Sequence, residues 1–268
     1  KHSILVGDNM INVGDMVGRK SYGFDVIFEV ASIDGDVAIL YGKTIRLIAD
    51  APITDLELMD NERLDREEEK ETSIINDIAS QTVKKNHKKY LMGKILHIDG
   101  DGKYMQKCIN LYKKMNIYAV GIEMKEKDIS EKILDYVRYL APDIVIITGH
   151  DSFNRKEMED IDNYRNSKFF IQAIQKIRQF YPVMNKPLII AGACQSHFEA
   201  LIAAGANFAS SPNRVNIQSL DPAIIAVKCS ATSATDPIKV FDAIEKTSNK
   251  NEGIGGVTSF GVMKTLYY

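Results

Sequence analysis

The chain has 268 residues, of which 45% are hydrophobic, and a formal net charge of −2 at pH 7. This composition is typical of a globular protein with a real core. The near-neutral charge argues against nucleic acid or a membrane as the partner, and no apolar run approaches the roughly 18 residues of a membrane span. Cys108, Cys194 and Cys229 are too few for a disulfide framework, which predicts a reducing compartment.

Residues 11 to about 60 contain short strand patterns at regular spacing. The turns between them include Tyr22-Gly23 and Asp34-Gly35, and the strand patterns are DMVGRKS, DVIFEVASI, DVAILYG and KTIRLIAD. This alternation predicts a small all-β domain over residues 1–60, in the form of a barrel or a meander. The chain opens at Lys1, so the residues before Met10 are expected to be added or upstream sequence.

Residues 61–91 change in character. NERLDREEEKE is dense in charge, KKNHKK is basic, and few large apolar residues accompany them. Such a segment is typical of a solvated helical linker between domains.

From residue 92 to residue 268 strand and helix patterns alternate. The predicted strands include KILHID, IYAVGIEM, DIVIITG and PLIIAGA, and helical patterns lie between them. One helix is expected to begin at Asp128 or Ser130 and to end before Pro142, and another to begin at Ser196. Repeated βα units predict an α/β fold with a mostly parallel sheet and helices on both faces.

Two of the predicted strands end in chemically reactive residues. DIVIITG is followed by His150, and PLIIAGA by Cys194. Because the carboxyl ends of parallel strands meet at one edge, an imidazole and a thiol are expected there together. A thiol that loses its proton to an imidazole is a nucleophile for acyl transfer. The backbone N–H groups of Asp151 and Cys194 are candidate donors to an oxyanion.

His197 competes with His150 for the role of base. It lies about one helical turn after Cys194 and could face the same site; alternatively, it caps or packs at a helix start. A zinc site from Cys194, His150 and His197 lacks the usual ligand spacing. We therefore predict no metal and no cofactor, and we expect Cys108 and Cys229 to be structural.

Acidic residues follow the first strand of the α/β domain. Asp99 and Asp101 could attract a cationic substrate side chain at the strand end. Capping of the next helix by Asp101 is an equally good interpretation. The sequence leaves both open.

The order of the two strand ends resembles that of the caspase, legumain and clostripain clan of cysteine peptidases, in which the histidine precedes the cysteine by one crossover unit. The resemblance implies a caspase-like fold with Cys194 as nucleophile and His150 as base. Asp151 stands where the clan usually has glycine.

The whole chain from residue 12 onward, except the charged linker, is similar to the sporulation-specific YabG protease family. The matching strings include GDMVGRKSYGFDVIF, HIDGD, ITGHDSF and AGACQSHFEALIAAGANFASSPNRVNI. The family implies a cysteine endopeptidase of the mother-cell cytoplasm that processes spore coat and cortex-associated proteins and cleaves after basic (Arg) residues. A pocket for arginine needs an acidic residue to bind the guanidinium. We predict Asp99 for this role, and Asp101 and Asp221 are the alternatives.

Two other classes remain open at this point. One is a flavodoxin-like binding or scaffold module, in which the strand-end residues only pack or bind a ligand. The other is an amidotransferase-like cysteine hydrolase, with His197 as base. The expected partners are protein substrates, and the sequence does not predict an oligomeric state.

Overall fold

The computed structural model describes residues 4–6, 9–83 and 90–266. The chain divides into two compact units, Lys1–Asn76 and Asp77–Tyr268. Helix α1 (Asn61–Val83) spans the boundary, within the segment for which a charged helix is predicted. Among the described residues, no helix is both long enough and apolar enough to cross a membrane.

The first unit is built from short strands. They are β1 (Ile4–Val6), β2 (Asn9–Ile11), β3 (Met16–Arg19), β4 (Phe28–Asp34), β5 (Val37–Gly42), β6 (Ile48–Pro52) and β7 (Leu56–Leu58). Five of them form an antiparallel sheet in the order β6-β5-β4-β3-β7. Val17, Val30 and Leu40 are completely buried in its core.

In the described residues the strands form a meander and not a closed barrel, so only the meander alternative is confirmed. The sheet is open, because β7 pairs with β3 and leaves β6 as the opposite edge. The hairpin between β4 and β5 turns at the predicted position, with Gly35 in the left-handed region at φ 56°. Left-handed backbone of this kind is the conformation that glycine adopts without steric cost.

The second unit contains the α/β sheet. Its strands are β8 (Tyr90–Leu91), β9 (Ile95–Asp99), β10 (Ala119–Glu123), β11 (Ile144–Thr148), β12 (Leu188–Ala191), β13 (Phe208–Ser210), β14 (Pro237–Ile238), β15 (Ile254–Gly256), β16 (Ser259–Phe260) and β17 (Lys264–Thr265). Six form one sheet in the order β10-β9-β11-β12-β13-β15, parallel except for β15. The strand order reverses between β9 and β11, and at such a switch point α/β proteins bind ligands beyond the carboxyl ends.

Helices cover both faces of this sheet, as predicted. They are α2 (Gly102–Lys114), α3 (Glu126–Leu140), α4 (Ser167–Phe180), α5 (Phe198–Ala203), α6 (Asp221–Ser230), α7 (Val240–Ile244) and α8 (Lys250–Gly253). Leu96 and Ile98 of β9 share one core with α3, α4 and α5. Because strand side chains alternate, His97 points to the other face, where it contacts Tyr112 of α2. Helix α6 packs against β11 and β12.

Two predicted helix starts need correction. Helix α3 begins at Glu126 rather than at Asp128 or Ser130, and no side chain caps it. Instead, acidic residues in its first turn stabilise the helix, because their negative charges lie at the positive end of the helix dipole. Helix α5 begins at Phe198 rather than at Ser196, and His197 is its cap, which is one of the two roles predicted for this histidine.

Candidate active site

His150 and Cys194 follow neighbouring strands of the parallel sheet. Ile147 of β11 pairs with Ala191 of β12, and each reactive residue stands three positions beyond its member of this pair. The register therefore delivers the imidazole and the thiol to the same edge. This edge adjoins the switch point between β9 and β11.

The His150 imidazole is held by an acid and an aromatic ring. Its Nε2 lies 3.1 Å from Oδ2 of Asp101, and its side chain is 19% exposed. The ring of Tyr104 meets it edge-on, with the ring centroids 5.9 Å apart. The His150 main chain is also fixed, because its N–H donates to Glu126 Oε1 at 2.8 Å and its carbonyl accepts from Asn166 Nδ2 at 2.7 Å.

Asp101 is fixed in turn by the start of α2. Its Oδ1 accepts hydrogen bonds from the backbone N–H groups of Lys103 and Tyr104, at 2.8 and 3.2 Å, which makes Asp101 the N-cap. Burial alone would raise the pKa of Asp101. The hydrogen bonds from His150 and Tyr104, and the charge of His150, outweigh burial and hold this pKa below its usual value of 3.8.

Glu126 bridges the two loops of the switch point. Its carboxylate lies against Gly100 and Gly149, where a Cβ on either glycine would overlap it. Both glycines thus permit the close approach through which Glu126 reaches the His150 N–H. The Glu126 side chain is partly exposed.

The Cys194 thiol is covered by main chain from further along the sequence. Its side chain is 1% exposed, the Ile217 N–H donates to Sγ at 3.3 Å, and Sγ lies 3.7 Å from the Ile217 carbonyl oxygen. The next residue, Gln195, has φ 58° and donates its N–H to the Val215 carbonyl. We call residues 215–217 the cover segment.

Asp151 turns inward from the loop that follows His150. It is 8% exposed and its carboxylate accepts hydrogen bonds from four groups; these are Ser152 N, Asn166 N, Ser167 Oγ and Ser196 Oγ. Burial raises the pKa of Asp151 above its usual value, against the opposing effect of these hydrogen bonds. The prediction for this residue concerned only its N–H, whereas its side chain links the His150 loop to the turn after Cys194.

His197 caps helix α5 and packs against an aromatic ring. Its Nδ1 accepts from the Ala200 N–H at 3.4 Å, and its Nε2 lies 3.2 Å from the Glu159 carbonyl oxygen. The Tyr164 ring packs against it at a tilt of 31°, with the centroids 4.8 Å apart. Both ring nitrogens of His197 therefore contact main-chain groups, those of Ala200 and Glu159.

The other two predicted specificity acids are inside the fold. Asp99 is completely buried, and its oxygens accept from Thr148 Oγ1 at 2.9 Å and from the Asp101 N–H at 3.0 Å. Asp221 is 1% exposed and accepts from Gln218 N and from both N and Oγ of Ser248. These two carboxylates hold main chain in place.

Asp101 as partner of His150 is the contact that sequence reasoning missed. Its position after a strand end was the available signal, but pairing with His150 depends on the register of β9 against β11, in which Asp99 lies opposite Thr148. In the described part of the chain, no group of three or more His, Cys, Asp or Glu residues is arranged to hold a metal.

These features define a class: a doubly wound α/β protein with a thiol and an imidazole at the carboxyl edge of its parallel sheet. Residues 12–267 match the family described as YabG peptidase U57. The chain is also 38% identical over 283 residues to the sporulation-specific protease YabG of Bacillus subtilis (strain 168), covering 94% of this chain and 96% of that protein. The chain belongs to the YabG peptidase family. No solved structure matches it.

Proposed function

We propose that the protein is a cysteine endopeptidase in which Cys194 is the nucleophile and His150 the acid–base group. Membership of a peptidase family supports peptide hydrolysis. The observation that carries the mechanism is the placement of His150 and Cys194 at matched positions on neighbouring parallel strands, with Asp101 on the imidazole. An imidazole that is oriented by a carboxylate, at the same sheet edge as a thiol, matches the arrangement by which catalytic triads activate a nucleophile.

The reaction proceeds in two halves. His150 takes the Sγ proton, and the sulfur attacks the scissile carbonyl carbon to form a tetrahedral oxyanion, toward which the N–H groups of Asp151 and Cys194 donate. Protonated His150 then gives its proton to the departing amine, which leaves a thioester on Cys194. Water, deprotonated by His150, cleaves the thioester, releases the acid product and restores the thiol. Because Nε2 of His150 contacts Asp101, we assign proton exchange to Nδ1.

Substrate access requires movement of the cover segment. The main chain of Ile217 lies against Sγ on both its N–H and its carbonyl side. A peptide carbonyl must take that place before attack. The structure therefore corresponds to a closed form of the proposed enzyme, and opening precedes catalysis.

The proposed architecture is caspase-like. His150 follows β11, Cys194 follows β12, and α4 provides the single helical crossover between them. This is the order in which the clan places its histidine and cysteine. Asp151, in place of the usual glycine, still presents a backbone N–H.

We further propose that the enzyme acts in the mother-cell cytoplasm on spore coat and cortex-associated proteins, and that it cleaves after basic residues, arginine in particular. The curated relative, a sporulation-specific protease, supports the sporulation setting. Among the predicted acids, Asp99 and Asp221 would have to exchange internal hydrogen bonds to receive a guanidinium. Asp101 and the partly exposed Glu126 lie beside His150 and are compared with Asp99 in the test of specificity.

The test uses peptides with a fluorogenic leaving group after Arg, Lys or Ala, and an arginyl ketone that alkylates thiols. We expect hydrolysis after Arg and labelling of the wild type at Cys194. Cys194→Ala and His150→Ala should lose hydrolysis, whereas His197→Asn, which preserves a helix cap, should keep it. Activity kept in His150→Ala and lost in His197→Asn would overturn the assignment of the base. Absence of both hydrolysis and labelling would indicate a binding module instead.

Specificity is tested separately. Asp99→Asn, Asp101→Asn and Glu126→Gln are compared for the ratio of kcat/KM between Arg and Ala peptides. Substitution of the acid that binds the guanidinium should lower this ratio by about 10-fold or more, because the variant loses a charge-assisted hydrogen bond that only the arginine peptide makes. An unchanged ratio in Asp99→Asn would exclude the first-ranked acid.

A further inference from the structure

We propose that Asp151 is a positioning residue that sets the geometry between His150 and Cys194 through one buried carboxylate. The inference rests on the proposed function, since it concerns the same site. It follows from the two loops that this carboxylate joins. One carries His150 immediately before Asp151, and the other carries Cys194 two residues before Ser196.

One oxygen of Asp151 holds its own loop. Oδ1 accepts from the Ser152 N–H at 2.9 Å and from the Asn166 N–H at 2.7 Å. Asn166 also donates its side-chain amide to the His150 carbonyl. The main chain on both sides of His150 is therefore tied to the start of α4.

The other oxygen reaches the turn that carries Cys194. Oδ2 accepts from Ser196 Oγ at 2.9 Å, and the same Ser196 Oγ accepts the Ala193 N–H at 2.9 Å. Ala193 directly precedes Cys194. The chain of contacts from Asp151 through Ser196 to Ala193 thus ends one peptide away from the nucleophile.

A second contact joins the same two segments. The Phe153 N–H donates to Oε1 of Gln195, the residue after Cys194, at 3.2 Å. The segment 151–153 therefore contacts Gln195 and Ser196 directly and Ala193 through Ser196. Two separate contacts between the same segments define their spacing better than one would.

A carboxylate suits this position because all four partners of Asp151 are donors. Ser167 Oγ and Ser196 Oγ each already accept a backbone N–H, from His197 and Ala193 respectively. An asparagine amide at position 151 would point its NH₂ group at these hydroxyls and leave their hydrogens without acceptors. A buried hydroxyl without its partner is unfavourable, so the turns would shift.

The experiment compares Ser196→Ala with Ser230→Ala. Both serines are buried and donate one hydroxyl hydrogen bond, but Ser230 bonds the Gly93 carbonyl before β9, at the opposite edge of the sheet. We expect Ser196→Ala to lower kcat by about 10- to 100-fold with KM within twofold, as a displacement of reacting groups predicts. Ser230→Ala should lower the melting temperature similarly and keep the wild-type kcat.

Further variants separate positioning from folding. Ser196→Thr keeps the hydroxyl and should restore kcat, and Asp151→Asn should show the same kcat loss as Ser196→Ala. Equal kcat loss in Ser196→Ala and Ser230→Ala, or wild-type kcat in Ser196→Ala, would overturn the inference. If Ser196→Ala does not fold, a kcat loss in Ser196→Thr or a wild-type kcat in Asp151→Asn overturns it. A wild-type protein that hydrolyses no peptide would instead contradict the proposed function itself.

Discussion

Nε2 of His150 lies 3.1 Å from Oδ2 of Asp101, an acid that also caps helix α2. The two residues come from loops on either side of the switch point, after β9 and β11. The helix start fixes the carboxylate, and the carboxylate orients the imidazole. Asp101 is therefore the third member of the proposed catalytic group, and its position is fixed by the start of helix α2.

Asp101→Asn separates the charge of this acid from its capping role. Asparagine caps helices about as well as aspartate does, so α2 should keep its start. The imidazolium that forms during catalysis loses its counter-charge, and we expect kcat to fall by about 100-fold or more. Steady-state hydrolysis of the arginyl peptide measures this. Asp162→Asn, at an exposed acid, is the control; equal kcat in the two variants would contradict the role of Asp101.

The pairing of Asp101 also predicts a pH dependence of stability. Because the pKa of Asp101 is held below its unfolded value, its stabilising contribution is complete above the usual 3.8 and is lost as pH falls through the lower folded value. The difference in free energy of unfolding between wild type and Asp101→Asn should thus shrink on acidification. Urea titrations from about pH 7 to about pH 3 measure it. A difference that stays constant or grows in acid would be incompatible with this pKa.

The cover segment predicts slow alkylation of Cys194. Asn249 is exposed and donates its side-chain amide to the Asn216 carbonyl at 2.7 Å, which holds the segment over the thiol. Asn249→Ala should increase the rate of iodoacetamide reaction at Cys194 by about 2- to 10-fold, as loss of one hydrogen bond predicts. Peptide mass spectrometry follows the rate, with Asn110→Ala on α2 as control. An unchanged rate would show that the segment opens independently of Asn249.

The three thiols should differ in reactivity in the folded protein. Burial raises the pKa of Cys229 to about 12, and Cys108 is completely buried with its Sγ 3.3 Å from the Ser219 carbonyl oxygen. At about pH 8 we therefore expect label on Cys194 first, and label on the other two only after unfolding in urea. Equal labelling of all three in the native protein would contradict this order.

A buried polar network beneath the site predicts a measurable loss of stability. With the His97 proton on Nε2, Tyr112 Oη donates to Nδ1, Nε2 donates to Thr148 Oγ1, and Thr148 donates to Asp99. Thr148→Val keeps the shape but removes the central hydroxyl. We expect the free energy of unfolding to fall by about 1–3 kcal/mol, because buried partners lose their bonds.

Urea denaturation of Thr148→Val measures this loss, and the exposed Thr235→Val is its control, with a change within about 0.5 kcal/mol. Equal stability of the two variants would show that the network is dispensable for the fold.

Local pattern was enough to predict the parallel strands and most helices of the larger unit. The buried runs ending at Thr148 and Ala191 are continuous and apolar, and such runs have few alternatives. Helix starts were less predictable, since α3 begins at Glu126 without a side-chain cap. The sequence did not decide between a barrel and a meander, because closure depends on which strand β7 pairs with, and that is a long-range contact.

The candidate site likewise has one part that the sequence predicted and one part that depends on long-range contacts. Chain order alone placed His150 and Cys194 at one edge, because both follow strands. The orientation of Asp101 toward His150, the inward turn of Asp151 and the covering of Cys194 by Ile217 each join segments far apart in the chain. Such contacts depend on the sheet register and on loop packing, and neither of these can be predicted from a local sequence pattern.

The four hydrogen bonds of Asp151 also limit how the family can diverge. One carboxylate accepts hydrogen bonds from donors in three segments. A change at Ser167 or Ser196 therefore alters the number of donors that the residue at position 151 has to accept. Substitutions at these three positions are therefore expected to occur together among relatives rather than singly. A survey of relatives in which Asp151 stays while both serines vary freely would contradict this expectation.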